Sequence, residues 1–481
     1  MNRGKDENAL ENTPSQSPER RTSSLLTWLC VVMLFVLLLS LLPMLYIAQY
    51  DLPLGDDVIY GAPVTSALQQ DASVSSAFSA AAGVVAEKFQ SWQGTFSAIF
   101  LMALQPGVFG LSYYQITPYL MLGSSIASTL LLTYTLLCFL LGVSKRVWLT
   151  LGLAMSFFSI QLCVSPREGF FWYNGAVYYT LFHSFLLVLA TLVIQLFRVK
   201  RIWVRIVFII LGVLLAAILS GGNYATDMVC LELLVCAIGY AVYKKQYRLL
   251  AAFALMLLVF GAGMLVSVSA PGNAVRQASV VASDYTPSGP VKAILLSLAL
   301  GGAMAVGWFD LAAVVVILLT VLFVGPALRK TNGRFRYPLL VVAFLFCVFA
   351  SQFTPSVYAA TSPGPYRLRN VAYFVYLLLV ALSAAYVTGW AQRKFAPEAP
   401  KQANAAMRWL TTYPVLAVLC FSLLLGASLC KRDVFETPTV LAVMELQDGT
   451  AQEHAAARKS QLAGETQGQT DSPARESKLL S

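Results

Sequence analysis

Two adjacent carboxylates, Asp56 and Asp57, stand in "GDDVIYG" at 55–61, with Asp51 a few residues earlier, just past a long apolar run. A carboxylate held at a membrane edge suits general-base work: it takes a hydroxyl proton while a charged group leaves. Neighbouring carboxylates repel, so the pair calls for an arginine or a divalent cation close by. One acid then serves as base while the other orients it or holds a cation, and the residue types leave open which does which. A solvated loop pair is the plain alternative, against which stands the position immediately after the first apolar run.

Other polar residues sort into five further segments: "SWQG" at 91–94, "SPREGFFWYNGAVYY" at 165–179, "SGGNYATD" at 220–227, "SAPGNAVR" at 269–276 and "SPGPYRLRN" at 362–370. Arg167, Arg276, Arg367 and Arg369 are the cations among them, and guanidinium forks match phosphate oxygens. Trp92 and Trp172, with the Phe and Tyr residues beside Trp172, suit a sugar ring or an isoprenoid chain, or else an interfacial aromatic belt. Asn174, Asn223 and Asn273 add amides. Glu168 is a third carboxylate, placed either for chemistry or for a local ion pair with Arg167. Six segments converging on one face imply a single outward pocket.

Dedicated metal chemistry is not indicated. The two histidines, His183 and His454, are too few for a His-based site, and the eight cysteines form no CxxC pair, so neither zinc nor a disulfide framework is expected. His183, inside an apolar run, reads as a packing residue. A divalent cation is expected, if at all, only between the acid pair and a phosphate.

The elements that must position these residues are membrane helices. The 481 residues are 58% hydrophobic and 12% charged, about half the charged share of soluble domains. The expectation is an all-α polytopic transmembrane helix bundle. A crossing needs roughly 20 apolar residues, which gives about eleven spans, near 25–48, 112–141, 147–164, 176–197, 204–220, 228–243, 249–270, 308–328, 337–353, 371–391 and 409–429. The net charge of +10 comes in clusters between these runs, at 145–146, 198–205, 244–245, 329–336 and 393–394. That is the signature of cytoplasmic loops rather than of nucleic-acid binding. It puts the N-terminus inside, the C-terminus outside, and the polar segments on the extracytoplasmic face.

Residues 1–24 read as a disordered cytoplasmic leader and 25–430 as the membrane domain. Residues 49–111 form an outer loop with juxtamembrane helices lying along the interface. The apolar stretch 291–307 is expected to be interfacial or re-entrant, because a full crossing there would flip every later basic loop. Residues 431–481 read as a polar, weakly ordered or peripheral tail.

With this plan the chain resembles the GT-C membrane glycosyltransferases, which have many spans, a cytoplasmic N-terminus and acids in the first outer loop. "SWQGTFSAIFLMALQPGVFG", "REGFFWYNGAVYYTL" and "APGNAVR" are more closely similar to an uncharacterised bacterial polytopic family grouped with that superfamily, over roughly residues 25–430. The resemblance implies a sugar donor carried on polyprenyl phosphate, a lipid or cell-envelope glycan acceptor, Asp56 or Asp57 as base, and Arg367 and Arg369 on the phosphate. The expected place is the bacterial inner membrane. The chain departs from better-known members in lacking a large C-terminal periplasmic domain. A transporter or flippase for a lipid-linked or anionic solute, using Asp227, Glu232 and Asp310 as intramembrane acids, is the competing reading. An envelope-assembly scaffold is the third.

Overall fold

The computed structural model describes residues 18–283, 286–331, 333–395, 414–430, 434–465 and 477–480. Residues 1–17 of the expected leader lie outside the described residues, and 18–24, expected to be disordered, begin the first helix; the described residues are mostly helical, with no strand among them.

Nine helical segments are long and apolar enough to cross a membrane, ten if a pair bent by 44° at 352–353 is one span. Eight of them match expected spans. These are α1 (Pro18–Ile47), α5 (Thr117–Tyr134), α8 (Phe182–Leu196), α9 (Ile202–Leu219), α10 (Tyr224–Tyr243), α11 (Tyr247–Val268), α14 (Leu311–Leu319) with α15 (Gly325–Lys330), and α18 (Tyr366–Phe395). The bent pair is α16 (Pro338–Ser351) and α17 (Thr354–Ala360). Two expected spans are shorter helices, α6 (Lys145–Gln161) and α19 (Pro414–Leu429). Every residue of α6 from Thr150 to Gln161 is buried, so α6 is the bundle's central post, packed on α1, α5 and α18.

The ninth segment is α13 (Pro290–Gly307), expected to be interfacial or re-entrant. Its start is tied to α17, where the Ser288 amide donates to the Tyr358 carbonyl at 2.9 Å. Its end meets α18 at Tyr376, whose hydroxyl donates to the Ala305 carbonyl at 3.2 Å. Trp308 packs there against Phe349, Tyr373 and Tyr376. Tyr376 is about 15 Å along α18 at 1.5 Å per residue. α14 starts at that depth, capped by the Asp310 carboxylate on the Ala313 amide, and continues to Leu328, whose carbonyl accepts from Arg393. α13 and α14 thus run in series from one end of α18 towards the other. Length and composition suit each of the two for a crossing, and the contacts set them end to end.

The basic clusters gather at one end of the bundle. Arg393 bonds the 328–331 turn, Tyr386 bonds Arg336, and Gln195 bonds Thr135 ten residues before Lys145. The Phe197 ring lies against Tyr240 and Phe253, joining the 198–205 and 244–245 clusters.

The opposite end carries the expected outer loop, which folds as α2 (Asp56–Gln70), α3 (Val74–Ser91) and α4 (Phe96–Ala103). None of the three is among the helices suited to crossing. Ser73 caps α3 by accepting from the Ser76 amide at 3.1 Å, and Ala77, Ala81 and Val84 give α3 its buried stripe at helical spacing. α12 (Gly272–Ala282) packs on α3.

The tail differs from the weakly ordered or peripheral extension expected. α20 (Pro438–Gln447) packs along α1, burying Leu441, Ala442 and Glu445. Thr439 donates to the Ser40 carbonyl at 2.7 Å. α21 (Thr450–Glu465) follows, and its buried Arg458 donates to the Pro53 carbonyl at 2.9 Å. Glu445 collects the Ser477 hydroxyl and the Lys478 and Leu479 amides. Small buried residues and a few well-placed polar groups dock this segment, and they leave little hydropathy signal.

Candidate functional site

The acid pair is divided by a glycine turn. Gly55 has φ +43, a backbone conformation that side-chain-bearing residues adopt only under strain. The turn starts α2 with both acids in its first turn, where a helix N-terminus favours negative charge. The two then face opposite ways: Asp56 is exposed, and Asp57 is fully buried.

Asp57 is saturated. Oδ1 accepts the Asn174 amide at 2.9 Å, and Oδ2 accepts the Tyr114 hydroxyl at 2.6 Å and the Leu54 amide at 3.1 Å. Its backbone carbonyl accepts from Gln105. The Tyr114 hydroxyl in turn accepts the Tyr173 amide at 2.9 Å. Asp57 therefore stitches the start of α2 to Tyr114 and to the FWYNG turn. Burial is the main cause that lifts its carboxyl to about 7, partly offset by these bonds. Asp51 is also buried, and burial followed by the nearby Asp57 charge pushes its carboxyl up well above the usual range. Both Asp57 oxygens accept hydrogen bonds from the protein, and Asp56 faces away from them. Among the described residues no group of three or more His, Cys, Asp and Glu could hold a metal.

Asp56 belongs to a different set. Tyr60, one helical turn on and buried, lies within electrostatic reach of both Asp56 and Arg276. Arg276 is hydrogen-bonded to Tyr178 and to Gln93, and its guanidinium lies 5.8 Å from the centre of the Trp92 ring. Tyr179 lies within reach of both Arg276 and Arg367. Arg367 pairs with Glu168 at 3.1 Å and stands 4.9 Å over the Trp172 ring. The result is an arc, Asp56, Tyr60, Arg276, Tyr179, Arg367, Glu168, with Trp92 and Trp172 beside its two guanidiniums. The Trp172 indole N–H and both ends of the Asn174 carboxamide are buried without a partner among the described residues. Such groups are costly unless a ligand or water meets them.

The remaining expected residues make contacts within the fold. Asn273 accepts the Gly94 amide at 3.2 Å and donates to the Ser267 carbonyl at 2.8 Å. A Cβ on Gly94 would strike the Ser267 carbonyl, and one on Gly272 would strike the Trp92 and Gln93 amides. The WQG and PGN motifs are thus two loops pressed backbone to backbone. Gly272→Ala is expected to cost about 1–3 kcal/mol, read as a lower melting temperature of the purified protein.

Asn223 caps α10 through the Thr226 amide at 2.8 Å and donates to the Tyr178 carbonyl at 2.6 Å, setting that tyrosine's position. Arg369 turns away, bonding the Gly364 carbonyl at 3.2 Å and covering the Tyr366 ring. Arg167 acts electrostatically on Asp51 and His454, towards the docked tail. The expected Glu168–Arg167 ion pair is replaced by Glu168–Arg367. His183 is buried 5.8 Å from the Phe374 ring, and all eight cysteines are free.

Sequence reasoning overlooked Tyr60, Gln93, Gln105 and Tyr114. Tyr60 was legible as the residue one turn beyond Asp56; Tyr114 carries no motif. Compared with protein-family models, curated proteins and solved structures, the chain finds no match in any of the three.

Proposed function

We propose that the chain is a membrane glycosyltransferase that moves a sugar from a polyprenyl-phosphate donor to a lipid or cell-envelope glycan acceptor. The observation that carries this reading is that two guanidiniums, Arg276 and Arg367, stand beside the Trp92 and Trp172 rings, with the buried Tyr60 and Tyr179 within their electrostatic reach and the exposed Asp56 within reach of Tyr60. Two arginines about a tyrosine suit a phosphate, indole faces suit a sugar or an isoprenoid, and a solvent-reachable carboxylate suits an acceptor hydroxyl.

Asp56 takes the proton of that hydroxyl as its oxygen attacks the anomeric carbon. The bond from that carbon to the phosphate oxygen breaks, and the electron pair leaves with the phosphate towards Arg276 and Arg367. Asp57 does not touch the reactants; it holds the start of α2 against the FWYNG turn.

The positive-inside rule favours the basic end as cytoplasmic and the arc as extracytoplasmic, in a bacterial inner membrane. With α13 and α14 counted as one broken crossing and α6 and α19 as crossings, the chain passes eleven times.

Arg367→Gln is expected to raise the donor's KM about 10- to 100-fold, from loss of a charge-assisted contact worth about 1.5–3 kcal/mol. The test of the reading is donor binding: purified protein, incubated with a panel of polyprenyl-phosphate sugars, should be thermally stabilised by at least one. Stabilisation that survives both Arg276→Gln and Arg367→Gln would count against the phosphate site.

One observation favours the transporter reading. Asp227, buried near the start of α10, has both carboxylate oxygens without a hydrogen-bond partner among the described residues. Of its companions, Asp310 caps α14, and Glu232 likewise leaves Oε2 buried without a hydrogen-bond partner among the described residues. Proton-coupled solute uptake into vesicles, abolished by Asp227→Asn, would establish that reading.

A further inference from the structure

At the basic end, far from the arc, the helices part. A cavity of about 230 Å³ lies between the end of α5, α6, the α14–α15 junction and α18. Two wide π-turns border it, 135–140 after α5 and 320–324 between α14 and α15. Such turns break regular helix packing and recur at functional positions. The walls come from leucines such as Leu137, Leu151 and Leu328, with Met155, Val324 and Ala381.

The wall's polar groups are spent. Thr133 donates to the Thr129 carbonyl, Thr320 to the Val316 carbonyl and Tyr386 to the Arg336 carbonyl. Those hydroxyl protons are used within the protein and the rest of the lining is apolar, so the fitting occupant is hydrocarbon. Leu136, Leu140, Leu382 and Tyr386 are partly exposed at the outer face, so the space opens sideways, where lipid would lie. Since a cavity of about 150 Å³ admits benzene, this one has room for about nine chain carbons in proportion.

The mouth carries charge of one sign. Phe335 and Leu328 line the cavity, and the exposed Arg334, Arg336, Arg329 and Lys330 flank them in sequence. Arg393 closes over the Phe335 ring at 4.6 Å while donating to the Leu328 and Thr331 carbonyls. No Asp or Glu occurs from Leu311 to Phe395. Basic pockets between membrane helices select anionic headgroups.

We infer that this end of the bundle is a binding site for one anionic phospholipid, with an acyl chain in the 230 Å³ cavity and its phosphate on the Arg329–Lys330 and Arg334–Arg336 cations. The site lies about 40 Å along α18 from Arg367 at 1.5 Å per residue. It is independent of the sugar-transfer reading.

The test is native mass spectrometry of the purified full chain with equal concentrations of phosphatidylglycerol and phosphatidylcholine of the same chains. The expected result is retention of one phosphatidylglycerol, at least tenfold over phosphatidylcholine. The preference should fall several-fold in the R329Q/K330Q/R334Q/R336Q variant, whose changes are all on exposed side chains. Ala381→Leu, which fills the cavity, should lower retention of both lipids. Equal retention of the two lipids by the unaltered protein would overturn the inference. So would a preference unchanged in the surface variant, which decides the matter even if Ala381→Leu fails to fold.

Discussion

Asp56→Asn is expected to lower sugar transfer roughly 100- to 10,000-fold, the usual contribution of a positioned general base, while costing no more stability than the about 0.3–1 kcal/mol of a charge at a helix N-terminus. The reasoning rests on exposure. Asp56 stands in solvent at the first turn of α2, and its carboxylate makes no hydrogen bond or ion pair among the described residues. Asn keeps the size and the turn but cannot accept the proton. A loss confined to kcat, with donor KM preserved, is the signature of an interaction made in the transition state rather than in binding. The measurement is steady-state transfer by the purified variant beside its thermal melt.

Its neighbour should behave in the opposite way. Asp57→Ala is expected to destabilise the protein by about 3–5 kcal/mol, because each buried donor left unmet costs about 1–3 kcal/mol. The Tyr114 hydroxyl and the Leu54 and Asn174 amides would all lose their acceptor. The carboxyl also has a pH signature. Burial raises it from 3.8 to about 7 in the folded chain, so the folded state holds its proton more tightly than the unfolded one. The stability this contributes is complete below about pH 4, falls as pH rises and is gone above about pH 7. The melting temperature of the unaltered protein should therefore fall between about pH 4 and pH 7, and Asp57→Ala should flatten that slope. Asp51, shifted in the same direction, supplies the residual slope.

The contrast shows where sequence reasoning stops. Helix existence was legible because a membrane crossing writes itself as a long apolar run, and each of the eleven expected segments holds a helix among its described residues. The segregation of basic clusters to one end was legible for the same kind of reason. The status of 290–307 was not, because hydropathy measures length and apolarity. The Trp308–Tyr376 contact that makes α13 and α14 a broken pair is a long-range pairing.

At the site, residue types pick out segments that the structure brings near one another, but not the contacts each side chain makes. "GDD" cannot say which acid is buried; that depends on a glycine turn and on Tyr114, 57 residues away. Asn273 and Asn223 looked like ligand amides because a loop asparagine and a clasp or cap asparagine read identically until the partner backbone is in place. Arg276 and Arg367 share an arc through Tyr179, a residue between two cations that no spacing rule would pair. The tail's packing on α1 escaped because its buried face is mostly Ala, Thr and Glu445.

The most direct test of the central claim is donor turnover by the protein in lipid nanodiscs, with a panel of polyprenyl-phosphate sugars and a mixed lipid and glycan acceptor fraction. The account predicts that the unaltered protein consumes at least one donor, releasing polyprenyl phosphate, and that Asp56→Asn, equally folded, does not. Consumption of none of the donors, or equal consumption by the two proteins, would contradict it.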